Sequence, residues 1–361
     1  MRRPVANPPN PFVAAYREYL DEPPPDARLE VYEERAASIL STNDSPDIPF
    51  TYSLNPYRGC HHACAYCYAR RTHEYLGLGA GTDFDTRITA KVNAAELLER
   101  ELRKPKWKRE RIAFSGVTDC YQPLEAVYQL TRRCLEVCER YRTPVSIVTK
   151  SYLVARDADV LGRLAQIGPS LVFMSIGFAD DTRARKLEPG APPPSRRFAA
   201  MKRLSDAGVP VGVIFAPVIP GLNDREIAAV LERAAQSGAR FAAYTALRLP
   251  GSVAPVFFER LRAAFPDSAA RVEARVREMR GGELNDSRFG KRMSAEGAYW
   301  QAIRRLFQTQ IARLGLQPPA APLEQVAPKD AGAAIANSTT ATDDAASKKP
   351  AGVIQLPLFE R

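Results

Sequence analysis

The chain has 361 residues, 45% of them apolar, and carries 51 Lys and Arg against 41 Asp and Glu, a formal net charge of +10. That suffices for one large catalytic core. No long apolar run offers a membrane span, and Met1-Arg2-Arg3-Pro4 leads into Pro-rich sequence rather than a signal peptide, so a cytoplasmic protein is expected.

Residues 1–50 carry Pro8, Pro9, Pro11 and Pro23-Pro24-Pro25 and read as a Pro-rich N-terminal arm, with one short helix near Val31 to Ile39. From Thr51 onward, β-branched runs alternate with amphipathic stretches, as in a parallel sheet with crossover helices. The predicted strands are Thr51–Leu54, Arg111–Gly116, Pro144–Thr149, Ser170–Ile176, Pro210–Ala216 and Arg240–Leu247. Between them the periodicity predicts helices over Ala94–Leu102, Leu124–Tyr141, Asp157–Ile167, Ser195–Ala207 and Asp224–Gln236. This is an α/β fold, a partial six-stranded (β/α)6 TIM-like barrel, with its core over 51–250. Helices near Ala254–Ala264, Ala269–Met279 and Ala298–Leu314 form a C-terminal extension over 251–316 that flanks or closes the barrel. From Gln317 the composition shifts to Ala, Pro, Ser, Thr and Asp, too poor in apolar residues to offset ordering entropy, so 317–361 is expected to be a disordered tail.

Three of the six cysteines fall within eight residues, unlike a secreted disulfide framework, and point to metal in a reducing compartment. Cys60, Cys64 and Cys67 form Cys-x3-Cys-x2-Cys directly after the first strand. Three thiolates on one loop can bind three irons of a cubane and leave the fourth without a protein ligand. The alternative is zinc, with His61, His62 or His73 completing the ligand set, but a second ligand pair at finger-like spacing is missing downstream.

The spacing, with Tyr66 at the aromatic position before Cys67, resembles the radical S-adenosylmethionine (SAM) superfamily. Ser53-Leu54-Asn55-Pro56-Tyr57-Arg58-Gly59-Cys60, Tyr68-Ala69-Arg70, Thr72-His73-Glu74-Tyr75-Leu76-Gly77, Gly116-Val117-Thr118-Asp119, Ala216-Pro217-Val218-Ile219-Pro220-Gly221-Leu222-Asn223-Asp224 and Met279-Arg280-Gly281-Gly282 resemble its bacterial branch related to spore photoproduct lyase, labelled DNA repair photolyase-like. The resemblance implies a 4Fe-4S cluster on Cys60, Cys64 and Cys67. It further implies SAM at the open iron, an electron donor such as flavodoxin or ferredoxin, and reductive cleavage of SAM to a 5′-deoxyadenosyl radical that abstracts a hydrogen atom.

By position, the resemblance puts Thr118 and Asp119 near the SAM amino group, Lys150 beside its carboxylate, Ser175 near the ribose, and Pro217 and Val218 against the adenine, with Tyr66 at the cofactor. Each has a plainer reading as a helix cap or a solvated strand end. Cys120 and Tyr121 could relay a hydrogen atom, although a small buried thiol is the commoner explanation for the first. Cys134 and Cys138, four apart on a predicted helix, read as packing.

The net charge and the family resemblance make DNA a candidate substrate, while an Arg-rich solvated surface would carry the same charge. The terminal Gln355, Leu356, Leu358 and Phe359 resemble the peptide by which bacterial repair proteins dock on the sliding clamp. Arg103-Lys104-Pro105-Lys106-Trp107-Lys108-Arg109 could contact phosphates and stack a base, or simply end a helix in solvent. The competing functions are a radical SAM enzyme on a small metabolite, peptide or tRNA, and a non-catalytic iron-sulfur module at the replisome.

Overall fold

The structure is a computed structural model that describes residues 28–319. In chain order the first elements are β1 (Glu30–Glu34), β2 (Leu40–Thr42), β3 (Tyr52–Leu54) and β4 (Tyr57–Arg58), then a 3-10 turn over Tyr68–Leu76, α1 (Thr82–Thr86), β5 (Arg87–Lys91) and α2 (Ala94–Leu102). Next come β6 (Ile112–Phe114), α3 (Glu125–Tyr128), α4 (Leu130–Arg140), β7 (Val145–Thr149), α5 (Ala158–Ile167) and β8 (Leu171–Ser175). The remainder is α6 (Asp181–Leu187), α7 (Pro194–Asp206), β9 (Val211–Val218), α8 (Ile227–Gln236), β10 (Phe241–Ala246), α9 (Val253–Ala264), α10 (Pro266–Glu278) and α11 (Gly297–Leu314).

The main sheet has the order β10-β9-β8-β7-β6-β3-β2. Every neighbouring pair is parallel except β2 with β3, so the six expected strands form the parallel part of an incomplete barrel. Parallel strands are covered by crossover helices and become uniformly apolar: all five residues of β8 are buried. Strand residues Leu54, Phe114, Ile147, Val172 and Val213 share one core with helix residues Leu97, Leu135, Leu164, Leu204 and Val230.

Two expectations are corrected. The helix near Val31 to Ile39 is absent, and Glu30–Glu34 is a strand pairing in parallel with Arg87–Lys91. The register sets Glu30 against Arg87 and Glu34 against Lys91, so a distant partner of opposite charge overrides local helix propensity. The single helix over Leu124–Tyr141 is two, broken at Gln129, whose φ of 50° lies in the left-handed region.

The C-terminal helices pack directly on the barrel. Phe257 and Leu261 of α9 and Val272 of α10 cluster with Cys64, Ala65 and Tyr66. Trp300 and Phe307 of α11 lie 5.6 and 4.3 Å from the Tyr244 ring of β10. Gln317, the first residue of the expected tail, pairs its backbone with Arg240 and Ala242 beside the edge strand β10. The terminal Gln355–Phe359 peptide lies outside the described residues.

Trp300 is 2% exposed, and its Nε1 has no hydrogen-bond partner. Its contribution is therefore packing, and Trp300→Ala should cost about 3–5 kcal/mol. Trp300→Phe, which keeps a ring and removes the orphaned donor, should cost clearly less. Denaturant melts of the two variants test this, and equal destabilisation would show that the indole N–H matters.

Candidate active site

The cysteine loop begins where only glycine fits. Gly59 has φ +73°, and a Cβ there would lie 2.8 Å from the His73 ring and 2.9 Å from Ile88. Cys60 and Cys64 are buried and Cys67 is half-buried. Cys60 and Cys67 share an apolar patch with Ala69 and Phe84. The loop's carbonyls are tied down from outside it. Thr118 Oγ1 donates to Gly59 O at 2.6 Å, Gln122 Nε2 donates to the same oxygen at 3.1 Å, and Arg260 Nη1 donates to Ala63 O at 2.9 Å. Arg70, with no exposed surface, donates through Nε and Nη2 to Cys64 O at 3.1 and 2.7 Å.

Next to the loop, the C-terminal ends of β6, β7 and β8 converge as the barrel geometry requires. Asp119 accepts from Tyr121 N at 2.9 Å, Thr149 Oγ1 at 2.7 Å and Lys150 N at 2.8 Å, and pairs with His62 Nδ1 at 3.2 Å. Burial opposes its charge, but His62 and these donors outweigh that and hold its carboxyl at about 2. Lys150 Nζ donates to Ser175 Oγ at 2.8 Å and stands 5.5 Å from the Tyr66 ring. Thus Tyr66, Thr118, Asp119, Lys150 and Ser175 gather around the cysteine loop. Pro217 and Val218 close β9, with the Ala216–Pro217 peptide cis, and Ser175 Oγ reaches Ala216 O at 3.3 Å.

Sequence reasoning missed the buried pair behind this site. Glu188 accepts from Tyr66 OH and pairs with Arg197, whose Nη1 donates to Ser175 O at 3.0 Å. Burial opposes the Glu188 charge, yet Arg197 and Lys150 more than compensate and bring its carboxyl below the usual range. Gly190 is the nearby wedge: a Cβ there would sit 2.0 Å from His61 O.

Cys120 and Tyr121 are fully buried in the main core, and Tyr121 OH donates to Asp157 at 3.0 Å. Cys134 and Cys138 pack in the same core. Trp107 stacks edge-on against Tyr52 at 4.9 Å and donates to Thr143 Oγ1, at the strand N-termini. The basic run is therefore at the barrel's opposite end from the cysteines.

The donor set fits a cubane better than a zinc ion. The His61 and His73 rings meet the Asp85 and Arg87 carbonyls at 2.8 and 2.9 Å and His62 Nδ1 pairs with Asp119, which leaves His62 Nε2 and His73 Nδ1 buried without a hydrogen bond. Among the described residues no three His, Cys, Asp or Glu side chains gather around one ion position, as zinc demands, whereas in a cubane each thiolate takes its own iron. Burial pushes all three thiols up, Cys64 to about 12, and each of the others also raises Cys60. Iron supplies the positive charge that lets such thiols ionise in a dry loop. The Lys150 ammonium, hydrogen-bonded to a neutral hydroxyl, suits an incoming carboxylate.

Glu188→Ala would leave Arg197 buried without its counter-ion and should destabilise the fold by about 3–5 kcal/mol. Adding Arg197→Met should recover part of that loss. Thermal melts of the single and double variants check it, and a double variant no better than the single would refute the coupling.

Comparison with known proteins agrees with this geometry. Residues 54–234, half of the chain, match the family model of the radical SAM superfamily. An uncharacterized protein of Mycobacterium tuberculosis is 39% identical over 226 residues, covering 62% of this chain and 66% of the relative. The chain therefore spans just under two thirds of that relative's length. A radical SAM Nalpha-GlyT isomerase of Pseudomonas phage M6 is 27% identical over 237 residues, 65% of this chain and 47% of the isomerase. A spore photoproduct lyase complexed with dinucleoside spore photoproduct shares the fold, with TM-score 0.55, 18% identity and 80% of each chain covered. With half its length matched by the family model, the chain belongs to the radical SAM superfamily, whose enzymes use a 4Fe-4S cluster and SAM.

Proposed function

We propose that Cys60, Cys64 and Cys67 hold the 4Fe-4S cluster, that Lys150 and Ser175 receive SAM, and that the substrate is nucleic acid, a DNA lesion or modified base. The observation that carries the cofactor assignment is the position of the Lys150 ammonium, at the C-terminal edge of the sheet beside the three-cysteine loop. When bound, cluster and SAM supply a 5′-deoxyadenosyl radical that abstracts a hydrogen atom.

The protein's own residues divide into contacts and supports. Lys150 offers its charge to the SAM carboxylate, and Ser175 lies within reach of the same ligand. Asp119 accepts from four donors, Tyr121 N, Thr149 Oγ1, Lys150 N and His62 Nδ1, which fills a carboxylate's capacity. It therefore sets the direction of Lys150 rather than binding the SAM amino group. Thr118 likewise holds the cysteine loop through Gly59 O. Tyr66 packs its ring beside Lys150, and Glu188 fixes its hydroxyl. The buried apolar patches around the cysteines keep water from the reacting atoms.

A nucleic acid is favoured over a small metabolite or peptide by the net charge of +10, which suits tRNA as well as DNA. The shared fold with a lyase solved in complex with dinucleoside spore photoproduct supports the same reading. We further propose that Gln355, Leu356, Leu358 and Phe359 dock on a bacterial sliding clamp, which would carry the enzyme to DNA, and that a flavodoxin or ferredoxin supplies the electron.

Anaerobic turnover with SAM and dithionite should form 5′-deoxyadenosine faster with DNA present; equal rates with and without DNA would favour a small substrate. Lys150→Ala should weaken SAM binding by ten- to a hundredfold, as expected for about 1.5–3 kcal/mol from a charged hydrogen bond. Unchanged SAM affinity would remove Lys150 from the site. Clamp binding by the full chain should vanish in Leu358→Ala/Phe359→Ala, and its persistence would reject the docking peptide.

A further inference from the structure

Three arginines from separate parts of the chain meet at the mouth of the barrel on the cysteine side. Arg248 follows the end of β10, and its guanidinium lies 5.5 Å from the Tyr68 ring. Tyr68 directly follows Cys67, is 47% exposed, and is fixed by donation from its hydroxyl to Gly116 O at 2.6 Å. Arg280 Nη2 donates to Leu247 O at 2.7 Å, the carbonyl next to Arg248. Arg248 Nη1 reaches Met293 Sδ at 3.2 Å, which brings it beside Arg292.

The cluster's positive charge is only partly met. Arg292 pairs with Asp47 at 2.6 Å. Asp286 is bonded to Arg288 at 2.7 Å. The partner of Arg248 is a thioether and that of Arg280 a carbonyl, neither of which is an anion, and the Arg248 Nε is buried without a hydrogen bond. Among the described residues, neither Arg248 nor Arg280 forms an ion pair. Burial lowers both from the ordinary guanidinium value, and Arg248 lowers Arg280 further. Asp47 and Asp286 act on Arg248 and Arg280 only at a distance, and half-buried guanidiniums held together without a direct ion pair are arranged for an external anion.

We infer that Arg248 and Arg280, backed by Arg292, seat a backbone phosphate of the nucleic acid, with the exposed face of Tyr68 stacking an adjacent base. This deepens the nucleic-acid reading and rests on it. Arginine supplies the planar fork that phosphate oxygens accept, and an aromatic face beside it stacks any base. Because Tyr68 adjoins Cys67, a strand held there lies next to the cysteine loop.

The test is fluorescence anisotropy of a labelled single-stranded oligonucleotide on the full-length, cluster-loaded protein across a salt series. Arg248→Gln and Arg280→Gln should each weaken binding and lower the slope of log K against log salt by about 0.7. Arg248→Lys should keep most of the slope, and Tyr68→Ala should weaken binding with the slope unchanged. Arg109→Gln, at the opposite end of the barrel, should change neither. Cluster absorbance and melting temperature confirm that each variant is folded. If the native protein binds with a steep salt slope that Arg248→Gln and Arg280→Gln leave intact, the seat is refuted while the nucleic-acid reading stands. If the native protein binds no oligonucleotide, both fall. Inorganic phosphate bound by calorimetry and lost in Arg248→Gln, without oligonucleotide binding, would mark a small phosphorylated ligand and overturn the nucleic-acid assignment.

Discussion

The hold of one buried guanidinium on the cysteine loop is the interaction on which the rest of the site depends. Arg70 donates twice to Cys64 O and also to Ala80 O, Gly81 O and Asp85 Oδ1. The same aspartate takes Arg260, which in turn donates to Ala63 O. Three thiolates can grip one cubane only if their loop cannot relax, and five donations from a residue with no exposed surface remove that freedom. Two of the non-glycine residues with positive φ lie in the loops that bear the site: Ala63 and Ser115, at 54° and 77°.

From that fixed loop the chemistry spreads along the sheet edge. Thr118 joins β6 to the loop, Asp119 joins β6 to β7, and the Lys150–Ser175 bond joins β7 to β8. The Glu188–Arg197 pair then connects Tyr66 with the backbone of Ser175. The links among β6, β7 and β8 are hydrogen bonds between strand ends, so the parallel order of the strands is what makes the site possible. The C-terminal helices belong to the same arrangement, because α9 and α10 supply the apolar wall under Cys64 and Tyr66.

The parallel strands were legible because each is a short β-branched run between turn signals, and the cysteine motif because its three cysteines are close in sequence. Long-range pairings carried no such signal. Nothing local marks Glu188 as the partner of Tyr66, 122 positions away, or β1 as the neighbour of β5. Glu30-Val31-Tyr32-Glu33-Glu34 suits a helix in isolation and becomes a strand only when Arg87–Lys91 lies alongside. The basic run around Trp107 read either as a phosphate contact or as a solvated helix end. Trp107 packs against Tyr52 at the strand N-termini, and the arginines without an ion pair lie at the other end.

The central claim is a cubane held by three thiolates with its fourth iron open to SAM. Electron paramagnetic resonance of the anaerobically reduced protein, recorded with and without SAM, tests it most directly. The account predicts about four irons per chain, a cluster signal that shifts on adding SAM, and loss of that signal when Cys60, Cys64 and Cys67 are all replaced by Ala. A signal indifferent to SAM, or iron content that survives the triple replacement, would contradict it.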